Sequence, residues 1–148
     1  MDNRGVVERW AEAFAAGDWE SMSEILHPDY VEVYPQSGEL IRGYENWKAV
    51  VSNYPEMPHG EVIETRGGEP AKTSVISSPI GLPIIQISDE SRSFTSESLI
   101  EYPNGERFHA IILGELKDGK VFKVTAYWAP PLEAPEWRAP FVESITDV

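Results

Sequence analysis

The stretch that decides the fold runs from residue 94 to residue 128 and reads FTSESLIEY-PNG-ERFHAIILGEL-KDG-KVFKVTAYW. Three segments rich in β-branched and aromatic residues are separated there by two three-residue connections, each of which contains glycine. Connections this short join antiparallel neighbours, because a parallel crossover needs a dozen or more residues. The sequence therefore predicts an antiparallel meander with strands at residues 94–102, 106–116 and 120–128.

The first residues of the chain have helical periodicity instead. Val7, Trp10 and Phe14 fall on one helical face, and Gly17 suits the left-handed position that ends a helix. We expect a first helix over residues 6–16.

Capping signals after this helix predict a second one. Asp18 is expected to cap a short helix over residues 19–26, with His27 in its last turn and Pro28 as its stop. Residues 30–34 alternate with period two and predict the first strand.

The middle of the chain mixes short elements with many breakers. Turn residues at 35–38 predict a hairpin to a strand at 39–42, and a third helix is expected over 44–54. A loop at 55–60 and a strand at 61–66 are expected to follow. Because three prolines interrupt residues 69–91, that region predicts an irregular crossing with short edge strands.

Helices first and strands afterwards indicate an α+β fold in which the helices pack on one face of the sheet. We expect one domain over residues 1–148, with residues 129–148 as a proline-rich tail that wraps the surface. The tail is expected to be held by Leu132, Trp137 and Phe141.

Composition excludes several classes of function. The net charge is −13 and the twelve Lys and Arg are scattered, whereas a nucleic-acid binder needs a basic stripe and an anionic membrane attracts basic segments. The chain has no cysteine, no apolar run long enough for a membrane span and no apolar leader. We expect a cytoplasmic protein with neither nucleic-acid nor membrane partners.

Metal and nucleotide motifs are also lacking. His27, His59 and His109 are too dispersed for a metal motif, and no phosphate-binding loop occurs. The expected chemistry needs no cofactor and no metal.

Several short motifs occur in a characteristic order and spacing. They are WAEAF (10–14), GDW (17–19), LHPDY (26–30), YPQSGE (34–39) with RG (42–43), LKDGK (116–120) and the tail PPLEAPEWRAP (130–140). Together they resemble the SnoaL-like branch of the nuclear transport factor 2-like (NTF2-like) superfamily. The resemblance implies a cone, a strongly curved sheet around the first helix, with a pocket at the open end.

Members of this superfamily include polyketide cyclases, a ketosteroid isomerase, dehydratases and non-catalytic binding domains. The resemblance therefore implies a pocket for a small hydrophobic molecule, and a cofactor-free cyclase, isomerase or dehydratase that works by general acid/base proton transfer. The alternative is a non-catalytic domain that binds a small hydrophobic ligand. Either is expected to act as a homodimer.

His109 is the first candidate for the proton-transfer group. It shares a strand face with Ile111, which the resemblance places near an acidic oxyanion-hole residue of ketosteroid isomerases, so both are expected on the pocket face. The competing interpretation, a structural histidine bonded to its neighbours, is the more frequent one for a single histidine.

The first strand supplies the second group of candidates, because Tyr30, Glu32 and Tyr34 share one of its faces while Val31 and Val33 take the other. The resemblance maps the isomerase's catalytic base onto Tyr34-Pro35, so that base is missing here. Glu32 would supply the base from a position two residues earlier if its side of the strand faces the pocket. Valines more often take the core, so an exposed Glu32 is about twice as frequent an outcome.

Glu97 is a third candidate, because its strand neighbours that of His109 and the two side chains could meet. The aromatic residues either line a cavity or fill the core, and the core is favoured for those on regular helical stripes. The residues weighed in this way are Trp10, Phe14, Trp19, Trp47, Tyr54, Tyr127 and Trp128.

The meander also offers a surface for self-association through the sheet. Its second face carries apolar residues that could pair with another copy. The residues expected on that exposed face are Phe108, Ala110 and Ile112, with Phe122 and Val124.

Overall fold

The computed structural model describes residues 2–54, 73–75, 84–86, 92–102 and 104–144. These described residues contain three α-helices and one sheet of seven strands. The strand order is β2-β1-β7-β6-β5-β4-β3. In chain order the elements are α1 Asn3–Ala16, α2 Met22–Ile25, β1 Leu26–Tyr34, β2 Glu39–Arg42, α3 Gly43–Ser52, β3 Thr73–Val75, β4 Ile84–Gln86, β5 Ser93–Glu101, β6 Arg107–Lys117 and β7 Lys120–Ala129, followed by a 3₁₀ helix at Glu136–Phe141.

The meander predicted from residues 94–128 is confirmed. β5, β6 and β7 are consecutive antiparallel neighbours, and each strand begins and ends within one residue of its predicted bounds. Asp118 and Gly119 connect β6 to β7 with φ angles of 50° and 70°. Two positive φ angles in a two-residue connection match the right-handed twist of the strands that it joins.

β1 makes the sheet a mixed one. It pairs antiparallel with β2, as the turn chemistry predicted, and parallel with β7. The short strands β3 and β4 lie at the opposite edge of the sheet, which confirms the short edge strands expected within residues 69–91. The loop and strand expected at 55–66 lie outside the described residues.

α1 begins earlier than expected, because the Asp2 side chain accepts a hydrogen bond of 2.8 Å from the Gly5 N–H and caps the helix. Gly17 takes the left-handed conformation with φ 65° and ends α1 as predicted. None of the helices in the described ranges is both long and apolar enough to cross a membrane.

The second helix is the main error in the secondary structure. Its α-helical part is only Met22–Ile25, and β1 already begins at Leu26, so His27 and Pro28 are strand residues. A tertiary contact explains the difference, because the His27 ring packs edge-on against Phe122 at 5.4 Å. A local hydrogen bond of 3.0 Å, from the Asp29 N–H to His27 Nδ1, accompanies it.

The core lies between α1 and one face of the sheet. Val7 is fully buried, and the Trp10 ring packs 5.3 Å from the ring of Phe94 on β5. Phe94 lies across Gly114 of the neighbouring strand, where an added Cβ would come within 2.1 Å of the Phe94 ring. The result is the α+β cone that the resemblance implies, with helices on the concave side of an open sheet.

The tail after β7 does not pack as expected. The exposed fractions of Leu132, Trp137 and Phe141 are 87%, 73% and 82%. The expectation that these residues hold the tail against the protein is therefore wrong for the described part of the chain.

Candidate functional site

A cavity of about 310 Å³ lies between α1, α3 and the concave face of the sheet. Its walls are mostly aromatic and aliphatic, with Trp10 and Phe14 contributed by α1, Trp47 by α3 and Trp128 by β7. A concave, largely apolar space with few polar groups is the usual form of a small-molecule site.

β1 places Glu32 on the wall of this cavity. The side chains of Tyr30 and Glu32 are buried, while Val31 and Val33 on the other face are only half-buried. The expectation that the valines take the core is therefore wrong. The inner face of β1 is the one that α3 covers, and Trp47 from α3 lies against it.

Glu32 has one hydrogen-bonded side-chain partner, since the Tyr30 hydroxyl donates to its carboxylate at 2.6 Å. The polar groups of Tyr30, Tyr34 and Trp47 all favour the charged form of Glu32 and so lower its pKa. Burial nevertheless raises the pKa of Glu32 above its ordinary value, since loss of water penalises the charged form more than these neighbours favour it. A carboxyl group with a raised pKa in an apolar cavity can exchange protons closer to neutral pH.

The two tyrosines beside Glu32 are kept as hydrogen-bond donors. Burial and the adjacent Glu32 carboxylate raise the pKa of both Tyr30 and Tyr34, so both hydroxyls stay protonated. The Tyr34 ring packs edge-on against Trp128, with ring centres 4.8 Å apart, and this contact fixes its direction. The Tyr30 hydroxyl is hydrogen-bonded to Glu32. Tyr34 lines the cavity, so its hydroxyl can reach a ligand.

A second pair of hydroxyls lies at the mouth of the cavity. The Tyr54 and Tyr102 hydroxyls are hydrogen-bonded at 2.9 Å and connect the end of α3 to the end of β5. Burial raises the pKa of Tyr102 as well. Ser37 and Glu39 complete the polar rim.

His109 is not on the cavity wall, which corrects the leading expectation. On β6 it alternates with Ala110, and Ala110 lines the cavity opposite Ser98 and Trp128. His109 therefore shares the outer face of the sheet with Ile111, which is 43% exposed.

The outer face also carries two other residues that were expected at the pocket. Glu97 is exposed and lies directly opposite Ile111 rather than His109. Tyr127 is exposed and lies opposite Ile111 on the other side. The strand alternation was read correctly here, but the face assigned to the cavity was the wrong one.

The same inversion applies to the predicted self-association surface. Ala110, Ile112 and Val124 line the cavity instead of forming an exposed face. The outer apolar residues of the meander are Ile111, Leu113 and Tyr127.

The structure brings together seven of the residues that the sequence analysis weighed for the site, namely Trp10, Phe14, Glu32, Tyr34, Trp47, Tyr54 and Trp128. Trp19 does not line the cavity and packs edge-on between Phe14 and Trp47, at 5.5 and 5.6 Å. The period-two alternation of β1 correctly grouped Tyr30 with Glu32 and Tyr34 on one face, but sequence reasoning did not predict the hydrogen bond from Tyr30 to Glu32. It also missed Tyr102 as a partner of Tyr54.

Comparison with known proteins relates the chain to one group. Residues 7–67 match the sequence family described as the SnoaL-like domain. An NTF2-like protein of unknown function from Burkholderia xenovorans LB400 is 32% identical, with a TM-score of 0.66 over 97% of this chain and 94% of that one. No curated protein matches the sequence.

Two more distant structures share the fold. A putative ketosteroid isomerase from Kribbella flavida is 20% identical, with a TM-score of 0.72 over 97% of this chain and 89% of that one. A putative polyketide cyclase from Sinorhizobium meliloti is 13% identical, with a TM-score of 0.54 over 83% of this chain and 94% of that one.

Proposed function

We propose that this chain, which belongs to the SnoaL-like branch of the NTF2-like superfamily, moves a proton on a small apolar carbonyl compound bound in its cavity. Glu32 is the general acid/base, and the Tyr34 hydroxyl orients the carbonyl oxygen. The observation that carries this proposal is the buried Glu32 carboxyl group in an aromatic cavity.

The proposed step needs no co-reactant. The Glu32 carboxylate takes a proton from the carbon next to the carbonyl, and the electron pair of that C–H bond moves toward the oxygen to give an enolate. The Tyr34 hydroxyl donates a hydrogen bond to the developing oxygen charge. Glu32 then returns the proton to the same carbon or to another carbon of the conjugated system, so the net reaction is exchange or isomerisation.

Glu32 replaces His109 in this proposal because of position. A general base must reach the proton that it removes, directly or through one water, and the outer face of β6 does not meet the cavity. A positioned general base contributes about 10²–10⁴-fold to rate. The names of the two distant structures, an isomerase of ketosteroids and a cyclase of polyketides, support a carbonyl substrate class.

One observation favours the alternative, a non-catalytic domain that binds a small hydrophobic ligand. Position 34, where the resemblance maps the isomerase's base, holds a tyrosine, and most of the remaining cavity wall is apolar. In that case Glu32 and its tyrosines would serve only to hold a polar end of the ligand.

Deuterium exchange separates the two functions. The probe is 2-tetralone, a flat ketone with acidic C–H bonds next to its carbonyl, and proton NMR follows its exchange in D₂O. We expect the wild-type protein to accelerate exchange, Glu32→Gln to lower this acceleration by about 100-fold or more, and His109→Ala to leave it unchanged. Binding of 2-tetralone without accelerated exchange would support the non-catalytic domain instead.

A further inference from the structure

The cavity contains a corner of two aromatic rings. The ring centres of Tyr34 and Trp128 are 4.8 Å apart and the ring planes meet at 75°, so the two rings form nearly perpendicular walls. Both residues are partly buried and line the cavity, and Tyr54 and Tyr102 add further rings to its lining. The face of an aromatic ring attracts positive charge, because its π-electrons make the face negative.

Strand register places Glu39 beside this aromatic corner. Glu39 of β2 is directly paired with Tyr34 of β1, so the two side chains share a face of the sheet. Ile41, two residues further along β2, is buried on that inner face, and Glu39 itself lines the cavity. Burial is the main cause of the raised pKa of Tyr34, the charge of Glu32 comes next, and the charge of Glu39 raises it further.

The charged side chains of the cavity wall are acidic. Among the described residues that line it, the charged ones are Glu32 and Glu39. Arg42 is the basic residue of β2, and strand alternation places it with Leu40 on the outer face. The net charge of −13 adds to this field, because it attracts cations and repels anions. A cationic group is therefore favoured at the mouth of the cavity.

We propose that the carbonyl compound bound in this cavity carries a positively charged amine, held between the Glu39 carboxylate and the aromatic corner of Tyr34 and Trp128. The remainder of the compound is an apolar body that fills the space between the helices and the sheet. This inference rests on the proposed function, because it narrows the class of carbonyl compound that the site accepts.

The strand register gives such a ligand two distinct ends. Glu32 pairs with Val124 on β7, and Trp128 lies four residues further along the same strand. Four residues of β-strand cover about 13 Å, so the reactive carboxyl group and the aromatic corner lie at different positions along the cavity. Tyr34 lies between these two levels, where its hydroxyl can hold the carbonyl oxygen while its ring contacts the amine.

Three ketones of similar size test this preference for charge. They are the cationic 4-acetyl-N,N,N-trimethylanilinium, the neutral 4-tert-butylacetophenone, which has the same shape, and the anionic 4-acetylbenzoate. Isothermal titration calorimetry at low ionic strength should show that the cation binds about tenfold more tightly than the neutral ketone, and that the anion binds most weakly. Added salt should reduce the preference, because Glu39 is exposed to solvent.

Two substitutions test the residues that hold the amine. Glu39→Gln and Trp128→Leu should each lower the ratio of cation to neutral affinity by about threefold, since one removes the carboxylate and the other an aromatic wall. Glu45→Gln is the matched control, because it deletes an exposed carboxylate of α3 that does not line the cavity. The ratio should be unchanged in this control. Circular dichroism verifies that each variant is folded.

Deuterium exchange at the acetyl group, followed by proton NMR, tests the proposed function separately. Preferential binding of the cation without accelerated exchange would support the charge preference and contradict the catalytic proposal. Three results would overturn the inference itself: neutral ketone that binds as tightly as the cation or more tightly, no binding of the cation, and equal loss of the preference in Glu39→Gln and Glu45→Gln.

Discussion

The Tyr30 hydroxyl donates a hydrogen bond of 2.6 Å to the carboxylate of Glu32, two residues further along the same strand, and both side chains are buried. The alternation of β1 places both on the concave face, where α3 covers them. A buried carboxyl group is costly unless it is hydrogen-bonded or neutral. Tyr30 and Glu32 are therefore a buried polar pair at the wall of an otherwise mostly apolar cavity. The first predictions concern this pair.

Glu32→Gln should make the protein more stable at neutral and higher pH. Because burial raises the pKa of Glu32 in the folded state, the folded protein holds that proton more tightly than the unfolded chain does. The stability that this proton contributes is fully present below the ordinary carboxyl pKa of 4.5 and is lost as pH rises through the raised folded-state pKa. Urea unfolding at a series of pH values measures the effect.

The wild-type free energy of unfolding should therefore fall relative to that of Glu32→Gln as pH rises above about 4.5. Glu45→Gln, which removes an exposed carboxylate from α3, controls for the deleted charge. If the difference in the free energy of unfolding between wild type and Glu32→Gln did not change with pH, the Glu32 carboxyl group would not be desolvated in the folded protein.

Tyr30→Phe should destabilise the fold by about 1–3 kcal/mol, because it leaves the buried Glu32 carboxylate without its short hydrogen bond. Denaturant unfolding at pH 7 measures this loss. The cost should shrink when Glu32 is replaced as well, so Tyr30→Phe in a Glu32→Leu background completes a double-mutant cycle. If the two substitutions changed the free energy of unfolding in a strictly additive way, the side chains of Tyr30 and Glu32 would not interact.

Gly114→Ala should cost about 1–3 kcal/mol, because the new methyl group would meet the Phe94 ring and the core would have to shift. Thermal or urea unfolding measures the loss. Phe94→Leu removes the ring edge, so Gly114→Ala should be better tolerated in that background than in the wild type. An unchanged cost in the Phe94→Leu protein would assign the effect to the strand backbone instead.

Gly119→Ala should also destabilise the protein, by about 1–2 kcal/mol, but for a different reason. Gly119 has open space around it and a φ of 70°, so the cost is one of backbone conformation and not of contact. Gly119→Asn should recover part of the loss, since asparagine tolerates the left-handed region better than alanine. Equal stability of the two variants, measured by urea unfolding, would contradict this account.

The order of the elements could be predicted from the sequence because its signals are local. The Lys117–Lys120 turn and the alternation of β6 and β7 lie within a few residues of the structures that they specify. The boundary between α2 and β1 could not be predicted, because the contact of His27 with Phe122 brings together residues far apart in the chain.

The cavity face of the strands could not be predicted for a related reason. Both faces of β6 are apolar, with Ala110 and Ile112 on one side and Ile111 and Leu113 on the other, so alternation alone does not say which side meets the helices. The valines of β1 were also misleading, because apolar residues usually take the core whereas Val31 and Val33 lie on the outer face. A polar residue such as Glu32 on an inner face is a typical exception to local rules, since functional sites are where such exceptions occur.

The most direct test of the central claim is a carbon-13 NMR titration of the Glu32 carboxyl group in glutamate-labelled protein, with the resonance assigned by its loss in Glu32→Gln. We expect this resonance to titrate above the ordinary value of 4.5 and to shift when 2-tetralone is added. A midpoint at or below 4.5, with no response to the ketone, would contradict the account of Glu32 as a desolvated proton-transfer group in a ligand cavity.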